Sequence, residues 1–188
     1  MIKALPKFNK YVPEGAIVID TTSNSGKWAG LSPFIVPAYP AKNLENLWQY
    51  SKVYSCHVLP DGNINFPVWF LWRDKGWNNP RAIRYPMGKG TIPICSYWNG
   101  ELLTYIEARK RIYIPEYSRN VVKTDSFHLL RSLYEGLYEG GGDLILLDYD
   151  AYDHKALGMT LKDVVNNPNK KCGHAFVLLS ILTEEPML

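Results

Sequence analysis

The apolar positions of this chain change their period from one segment to the next, and each period predicts a different element. Runs of β-forming residues predict strands at residues 16–20, 53–59, 64–72 and 144–147. The middle two runs flank Pro60-Asp61-Gly62, an order that predicts a β-hairpin with Pro67 at an edge or a bulge. Further short strands are predicted at residues 81–85, 92–97 and 174–182.

Helical spacing of apolar residues predicts helices in the remaining segments. They cover residues 43–52, residues 101–113 with a stop near Pro115, and residues 161–166 after Thr160. A fourth helix starts at Thr124 or Asp125 and carries one apolar stripe, formed by Phe127, Leu130, Tyr134 and Leu137. Together the elements predict one α+β domain over residues 1–188, with helices packed on a small antiparallel sheet.

Composition narrows the class of protein. The 188 residues suffice for one core, and a formal net charge of +3 is too small to indicate a general nucleic-acid coat. The three scattered cysteines argue against a disulfide framework or a structural zinc site. The first residues lack the apolar core of a signal peptide, and the run at 176–182 is too short for a bilayer. These features predict a cytoplasmic protein without a membrane partner, and they leave its oligomeric state open.

One helical stripe carries unusual chemistry. On the predicted helix at 43–52, residues at i, i+3, i+4 and i+7 share one face, and here they are Glu45, Trp48, Gln49 and Lys52. A carboxylate, an aromatic ring, an amide and an amine together suit a pocket for a sugar or a nucleotide. The alternative is structural: a second, apolar stripe would face the core and leave Glu45 and Lys52 as solvated flank residues.

A second candidate is the acidic segment that follows the predicted strand at 144–147. Asp148, Asp150, Asp153 and His154 lie at short spacing, which suits a magnesium or calcium site. The segment lacks the central Gly and the final Glu of a calcium loop. We therefore prefer a polar cleft in which these side chains contact ribose hydroxyls or an attacking water, with Asp150 as a catalytic candidate. An ordinary surface turn remains the simplest alternative.

Two short Gly/Lys loops are candidates for phosphate contacts. Ser25-Gly-Lys-Trp28 and Met87-Gly-Lys-Gly-Thr91 do not satisfy the P-loop pattern, but their backbone N–H groups and amines could touch a phosphate. Lys27 and Trp28 are therefore candidate substrate contacts, although a plain turn is the competing interpretation. Cys56 and His57 are neighbours on a predicted strand, so they do not form a nucleophile pair. His128 and His174 stand in apolar contexts and are predicted to be structural.

Two stretches of the chain resemble the NADAR (YbiA-like) family. Leu31-Ser-Pro-Phe34 is similar to that family's Leu-Ser-Asn-Phe motif. Residues 43–53 are similar to its helix Thr/Ser-Val-Glu-His-aromatic-aromatic-Gln-Ala-x-Lys-aromatic, and four of them match without a gap: Glu45, Trp48, Gln49 and Lys52. The chain departs from the family at Pro33 and Asn46, where Asn and His are usual, and it lacks the late Trp-Gly motif.

The resemblance implies a YbiA-like core and N-glycosidase chemistry on ADP-ribosyl or ribose-phosphate substrates, without a metal or an organic cofactor. Phage-encoded relatives are linked to the reversal of DNA ADP-ribosylation, so it also implies DNA as a partner and a counter-defence role in the host cytoplasm. Glu45 would handle protons or stabilise an oxocarbenium ion, and Lys52 would attack C1″ or bind phosphate. Trp48 would stack on the substrate, and Ser32, Phe34 and Gln49 would contact it.

Two other functions remain open from the sequence. The missing family His and Trp-Gly motif favour a non-catalytic module whose pocket sequesters a nucleotide or a host protein, as a phage antagonist would. The carboxylates of Asp148, Asp150 and Asp153 would instead support a small metal-dependent hydrolase.

Overall fold

The computed structural model describes residues 1–9 and 11–188, in which helices surround two small three-stranded sheets. The strands are β1 Ile2–Pro6, β2 Ile17–Asp20, β3 Lys52–Val53, β4 Cys95–Trp98, β5 Glu101–Leu103 and β6 Leu144–Asp148. The helices are α1 Leu44–Tyr50, α2 Phe66–Trp77, α3 Tyr105–Ala108, α4 Ile114–Val121, α5 Asp125–Glu139, α6 Leu161–Asn166 and α7 His174–Thr183. This architecture confirms the predicted α+β class.

The first sheet is parallel and has the order β1-β6-β2. Its central strand β6 is buried at Leu144, Ile145 and Leu146, because helices and loops cover both of its faces. A strand buried in this way has a continuous apolar run, which is why its sequence predicted it correctly. The antiparallel sheet that the sequence predicted is the second one, of order β3-β4-β5. The parallel sheet and its strand β1 were not predicted.

Helix α7 packs against β1, β6 and α4 in the centre of the core. The prediction of a strand at residues 174–182 is therefore wrong. Residues Ala175–Leu179 are buried on every side of the helix, so the segment shows no helical period. A short apolar run of this kind does not distinguish a buried helix from a buried strand. No helix of the described residues combines the length and the hydropathy needed to span a bilayer.

The predicted hairpin at residues 53–72 is also wrong, because its second half is helix α2. The side chain of Asn65 caps this helix by accepting from Val68 N, and Pro67 lies in the first turn, where no intrahelical N–H is required. Its buried Trp69 donates through Nε1 to Lys52 O at 2.9 Å, which ties α2 to β3, the strand that follows α1. Packing of this aromatic helix overrides the β propensity of its residues.

The helix predicted at residues 101–113 is wrong at both ends: Glu101–Leu103 form β5, and the helical region continues past Pro115, where a stop was predicted. A π-helical segment, Arg109–Tyr113, joins α3 to α4, and Pro115 lies in the first turn of α4. The wider π turn accommodates a residue without an N–H, so the chain remains helical. The predicted strand at residues 81–85 is an irregular loop, and the predicted strand at 92–97 is replaced by β4, which starts at Cys95. Helices α5 and α6 begin after Thr124 and Thr160, as predicted.

Candidate functional site

A cavity of about 520 Å³ opens at the carboxyl end of the parallel sheet. Its wall is formed by α1, by the residues after β2 and β6, by the loop between α2 and β4, and by the loop before α7. Ligands of open parallel sheets bind at this end of the strands, where side chains from separate strands converge. The volume lies within the roughly 300–1,000 Å³ typical of small-molecule sites.

Helix α1 brings a continuous chain of polar side chains to the cavity. Gln49 donates through Nε2 to Glu45 Oε1 at 2.9 Å, and Lys52 donates through Nζ to Gln49 Oε1 at 2.6 Å. The helix begins after Asn43, whose side chain accepts from Asn46 N at 2.9 Å, as the sequence predicted. Helical spacing places Glu45 and Gln49 side by side, but the predicted helix ends early, at Tyr50, and Lys52 extends the chain from the start of β3.

The indole of Trp48 forms the aromatic part of the same wall. Lys52 Nζ lies 4.9 Å from the Trp48 ring centroid, within range of a cation–π interaction. Tyr113 and Tyr105 support the indole from the π-helical side, with ring centroids at 5.3 and 6.4 Å. Trp48 is half-buried and lines the cavity, which leaves part of the indole accessible to a ligand.

Burial moves the pKa values of the two ionisable ends of this chain towards each other. Burial raises the pKa of the Glu45 carboxyl above its ordinary value, although Gln49 and Lys52 oppose the shift. Burial also lowers the pKa of the Lys52 amine to about 8, against the attraction of Glu45. Shifts in these directions bring both groups closer to the working pH of a cell, as acid–base catalysis requires.

The carboxyl end of β6 supplies a carboxylate of the opposite character. Asp148 Oδ2 lies 3.1 Å from His174 Nδ1 and accepts from Ala175 N at 3.3 Å, while Oδ1 accepts from Asp150 N at 3.2 Å. Although burial favours the neutral acid, His174 and these backbone donors hold the pKa of Asp148 at about 2. Asp148 is therefore ionised throughout the physiological range.

Asp150 joins two cations across the cavity. Its Oδ2 accepts from Arg84 Nη2 at 2.7 Å and its Oδ1 accepts from Lys171 Nζ at 3.0 Å. The two cations come from different loops, so this one carboxylate fastens the loop between α2 and β4 to the loop before α7.

Buried polar side chains hold both of these loops in place. The amide of Asn46 donates to Asn79 O and Arg81 O, both at 2.9 Å, and accepts from Ile83 N at 2.8 Å. It thus fixes the segment that carries Arg84, at the helix position where the NADAR family has His. Arg109 secures the other loop by donating to three carbonyl oxygens, those of Val165, Asn167 and Lys170.

The structure brings most of the predicted site residues to this cavity. Its wall includes Ser32, Phe34, Glu45, Trp48, Gln49, Lys52, Asp148 and Asp150. Ser32 is buried, and its Oγ accepts from Phe34 N at 3.3 Å, which shapes the turn that presents the Phe34 ring. Asp148, Asp150 and the α1 stripe are distant in sequence but form one site.

Four predicted substrate contacts do not line the cavity, and these assignments are corrected. Lys27 is exposed on a 3₁₀ turn and lies 5.1 Å from the ring of Trp28, which packs against the core. Asp153 forms an ion pair with Lys3 at 3.0 Å, and His154 is buried against Phe176. The chain turns away from the cavity after Asp150. Short spacing along the sequence therefore predicted too many members for the acidic cluster at the site.

The metal-dependent alternative loses its ligand set for the same reason. Asp148, Asp150 and Asp153 each pair with a different cationic partner instead of converging. Across the part of the chain that the structure describes, no group of three or more His, Cys, Asp or Glu side chains is arranged to hold a metal ion.

The cavity wall also contains residues that the sequence did not assign to the site. Among them are Arg84, Tyr113, Lys171 and His174. Arg84 was placed on a predicted strand and lies on a loop instead, and His174, predicted to be structural, is buried and holds Asp148 at the edge of the cavity. Their partners lie 66 and 26 residues away, as the Arg84–Asp150 and Asp148–His174 pairs show. No local pattern marks such long-range pairs.

The chain matches no protein-family model, no curated protein and no solved structure. The geometry of the cavity and the motif resemblance therefore carry the functional argument.

Proposed function

We propose that the protein is an N-glycosidase that hydrolyses the bond between C1″ of an ADP-ribosyl or ribose-phosphate group and a nitrogen of its partner, such as guanine in DNA. The observation that carries this proposal is the chain Glu45–Gln49–Lys52 beside Trp48 on the wall of a cavity large enough for a nucleotide. A proton-carrying carboxyl, a reactive amine and an aromatic surface are the groups that such a reaction requires.

The charge of the cavity supports a phosphate-bearing substrate. Its wall carries the cations Lys52, Arg84, Arg109 and Lys171 and the carboxylates Glu45, Asp148 and Asp150. Burial raises the pKa of Glu45, so the negative charge of this carboxyl is the least favoured of the three. An excess of positive charge in an enclosed site attracts anions such as phosphate.

In the proposed reaction, the neutral amine of Lys52 forms a bond to C1″ while the C1″–N bond to the base breaks. Protonated Glu45 gives its proton to the departing nitrogen. Water then cleaves the bond between C1″ and Lys52 Nζ, leaving a hydroxyl on C1″ and returning a proton to Glu45. With a pKa of about 8, roughly a tenth of Lys52 is neutral at pH 7, which supports an amine nucleophile.

The direct test uses an oligonucleotide that carries ADP-ribosylated guanine, with released ADP-ribose measured by chromatography. We expect turnover by the wild type, including in EDTA. In Glu45→Gln we expect a loss of about 10²- to 10⁴-fold, because the amide keeps the shape of the side chain but has no acidic proton to donate. Glu101→Gln, at an exposed glutamate that pairs with Arg111, is the matched control. A wild type that releases nothing from any ADP-ribosyl or ribosylamine substrate would refute the enzyme proposal.

A binding module that acts as a phage antagonist is the second candidate. The observation that favours it is the double ion pair of Asp150, because a carboxylate bound by Arg84 and Lys171 is poorly placed to activate water. Calorimetry distinguishes the two functions: tight binding of ADP-ribose, without cleavage of any ADP-ribosyl substrate, would favour the module.

A further inference from the structure

Behind the cavity, three buried side chains form a chain across separate elements. His174 at the start of α7 lies between Asp148 at the end of β6 and Thr21 after β2. Its Nδ1 is 3.1 Å from Asp148 Oδ2, and its Nε2 is 2.7 Å from Thr21 Oγ1 and 2.9 Å from Thr21 O. All three residues are less than a tenth exposed, so water does not compete for these contacts.

The hydrogen-bond inventory fixes the protons of this chain. Thr21 Oγ1 has one hydrogen, which it donates to Leu147 O at 2.8 Å, so towards His174 it can only accept. The carbonyl oxygen of Thr21 can also only accept, and Nε2 must therefore carry a hydrogen. On the other side of the ring, Asp148 Oδ2 accepts from Ala175 N and lies 3.1 Å from Nδ1, so one hydrogen must lie between these two atoms. The pKa of Asp148, about 2, assigns that hydrogen to Nδ1, and His174 is thus an imidazolium paired with Asp148.

We propose that His174 is a positioning residue: as an imidazolium it fixes Asp148 as an oriented anion in the cavity, where Asp148, rather than Asp150, stabilises positive charge at the ribosyl C1″. This proposal rests on the N-glycosidase function proposed above. It divides the work between carboxyl groups, with Glu45 exchanging the proton and Asp148 supplying a constant charge. Two carboxyl groups whose environments separate their pKa values are typical of glycosidic cleavage.

The direction of each contact supports Asp148 over Asp150. Thr21 does not belong to the cavity wall, so the Nε2 end of the imidazolium points away from the ligand space, whereas Asp148 faces it. Asp150 is bound by two cations, Arg84 and Lys171, so this group of three is net positive, whereas Asp148 is bound by one cation. Burial lowers the pKa of His174, but the contacts with Asp148 raise it more, so this pKa lies above its ordinary value. This direction agrees with the assignment of a hydrogen to each ring nitrogen.

The order Thr21–His174–Asp148 also has the connectivity of a nucleophile, a base and an acid. Thr21 is fully buried and lies outside the cavity wall, so a substrate has no access to its hydroxyl. Its hydrogen is donated to Leu147 O rather than to His174. The chain therefore orients a carboxylate and does not activate Thr21.

The tyrosines and the cysteine near the Asp148–His174 pair do not titrate in the pH range of the assay. Tyr113 and Tyr117 have pKa values raised well above 10.0 by burial and by Asp148, and burial raises the pKa of Cys172 to about 12. These groups remain neutral across an assay range of about pH 5–9. The charged groups nearby are Arg84, Asp150 and Lys171, which are joined as ion pairs, and Glu45 and Lys52 on α1.

The first measurement is the protonation state of His174, which does not depend on any activity. In ¹⁵N-labelled protein at pH 8, we expect two nitrogen-bound protons on the His174 ring, with its signals identified by their loss in His174→Gln. The exposed His128 serves as the reference ring. A neutral His174 ring at pH 8 would overturn the proposal, whether or not the protein proves to be a glycosidase.

The second measurement is the pH dependence of turnover in His174→Gln, which can still donate to Asp148 but carries no charge. We expect kcat to fall roughly 10- to 100-fold, as is typical when a residue that orients a site residue is replaced, and we expect KM to change little. Because the pKa of Asp148 rises without the imidazolium, a new loss of rate should appear on the acidic side. His128→Gln should leave kcat, KM and the acidic side of the pH profile unchanged.

Two outcomes separate this proposal from the proposed function. An active wild type whose folded His174→Gln variant keeps its kcat and its acidic limb would overturn the positioning role alone. A wild type without glycosidase activity would refute the function itself and, with it, the catalytic role of Asp148. If His174→Gln does not fold, Thr21→Val removes one acceptor of the imidazolium, and we expect a smaller change of kcat in the same direction; an unchanged kcat would count against the proposal.

Discussion

Two walls of the cavity hold their ionisable groups in opposite ways. On the α1 wall, formed by Glu45, Trp48, Gln49 and Lys52, the carboxyl and the amine share a neutral amide and are shifted towards neutrality. On the β6 wall, formed by Asp148 and Asp150, each carboxylate is bound directly by cations. The first wall can exchange protons near pH 7, whereas the second keeps its charge.

The difference follows from how each wall is built. The α1 wall is local: helical spacing brings Glu45 and Gln49 together, and Lys52 follows directly after the helix, at the start of β3. The β6 wall depends on contacts between distant segments, since the partners of its two aspartates come from two other parts of the chain, one at Arg84 and one that contains Lys171 and His174. A site assembled in this way combines a reactive side with a rigid electrostatic side.

The strongest test of the α1 wall is Lys52→Met, which removes the amine and leaves an apolar chain of similar length. We expect turnover to fall by at least about 10²-fold, because the proposed nucleophile is lost. The protein should nevertheless become more stable by about 1 kcal/mol, because the variant no longer buries an amine. Chemical denaturation and the glycohydrolase assay measure the two effects.

The stability change has a defined pH dependence. The folded-state pKa of Lys52, about 8, lies below its unfolded value of 10.5, so the wild type loses stability as pH falls from 10.5 to 8 and then remains at the lower level. The advantage of Lys52→Met should thus be full at pH 7 and smaller at pH 10. Lys42→Met, at an exposed lysine just before α1, should affect neither activity nor stability. A Lys52→Met protein with full activity would remove the amine from the mechanism.

The pH profile of the wild type sharpens the comparison further. The active form in the proposed mechanism carries one proton on the pair Glu45 and Lys52, so kcat should follow a bell-shaped curve with a basic limb near pH 8. Beyond each limb we expect about a tenfold loss for each pH unit. Asp148, with a pKa of about 2, should contribute no limb above pH 4. A rate that still increases above pH 9 would show that Glu45 does not donate the proton.

Local signals predicted part of the fold, and their failures have physical causes. Cap residues fixed the starts of α1, α5 and α6, because Asn43, Thr124 and Thr160 bond to the backbone within one turn. The aromatic segment of α2 and the apolar segment of α7 were assigned to strands. In both, packing against distant elements decides the structure, and a single sequence does not contain that information.

The site divides along the same line. The α1 stripe could be predicted in full, because all of its members lie within eight residues. The acidic segment after β6 was predicted only in part: Asp148 and Asp150 face the cavity, but the chain turns before Asp153 and His154. Arg84, Lys171 and His174 could not be predicted, since their roles come from pairing across the fold.

The two cations that bind Asp150 provide the finest test of the β6 wall, because they differ in exposure. The Arg84 side chain is 30% exposed and that of Lys171 is 59% exposed. A charge-assisted contact from the more buried Arg84 to a substrate phosphate should be worth more, so Arg84→Gln should raise KM by roughly ten- to thirty-fold. Lys171→Gln should raise KM only about two- to fivefold, since solvent screens an exposed charge.

Raising the salt concentration should reduce the effect of Lys171→Gln more than that of Arg84→Gln, because a partly buried contact is screened less. Equal effects of both variants on KM would mean that the rigidity of the β6 wall does not control binding, and that the two cations act only through the general charge of the cavity.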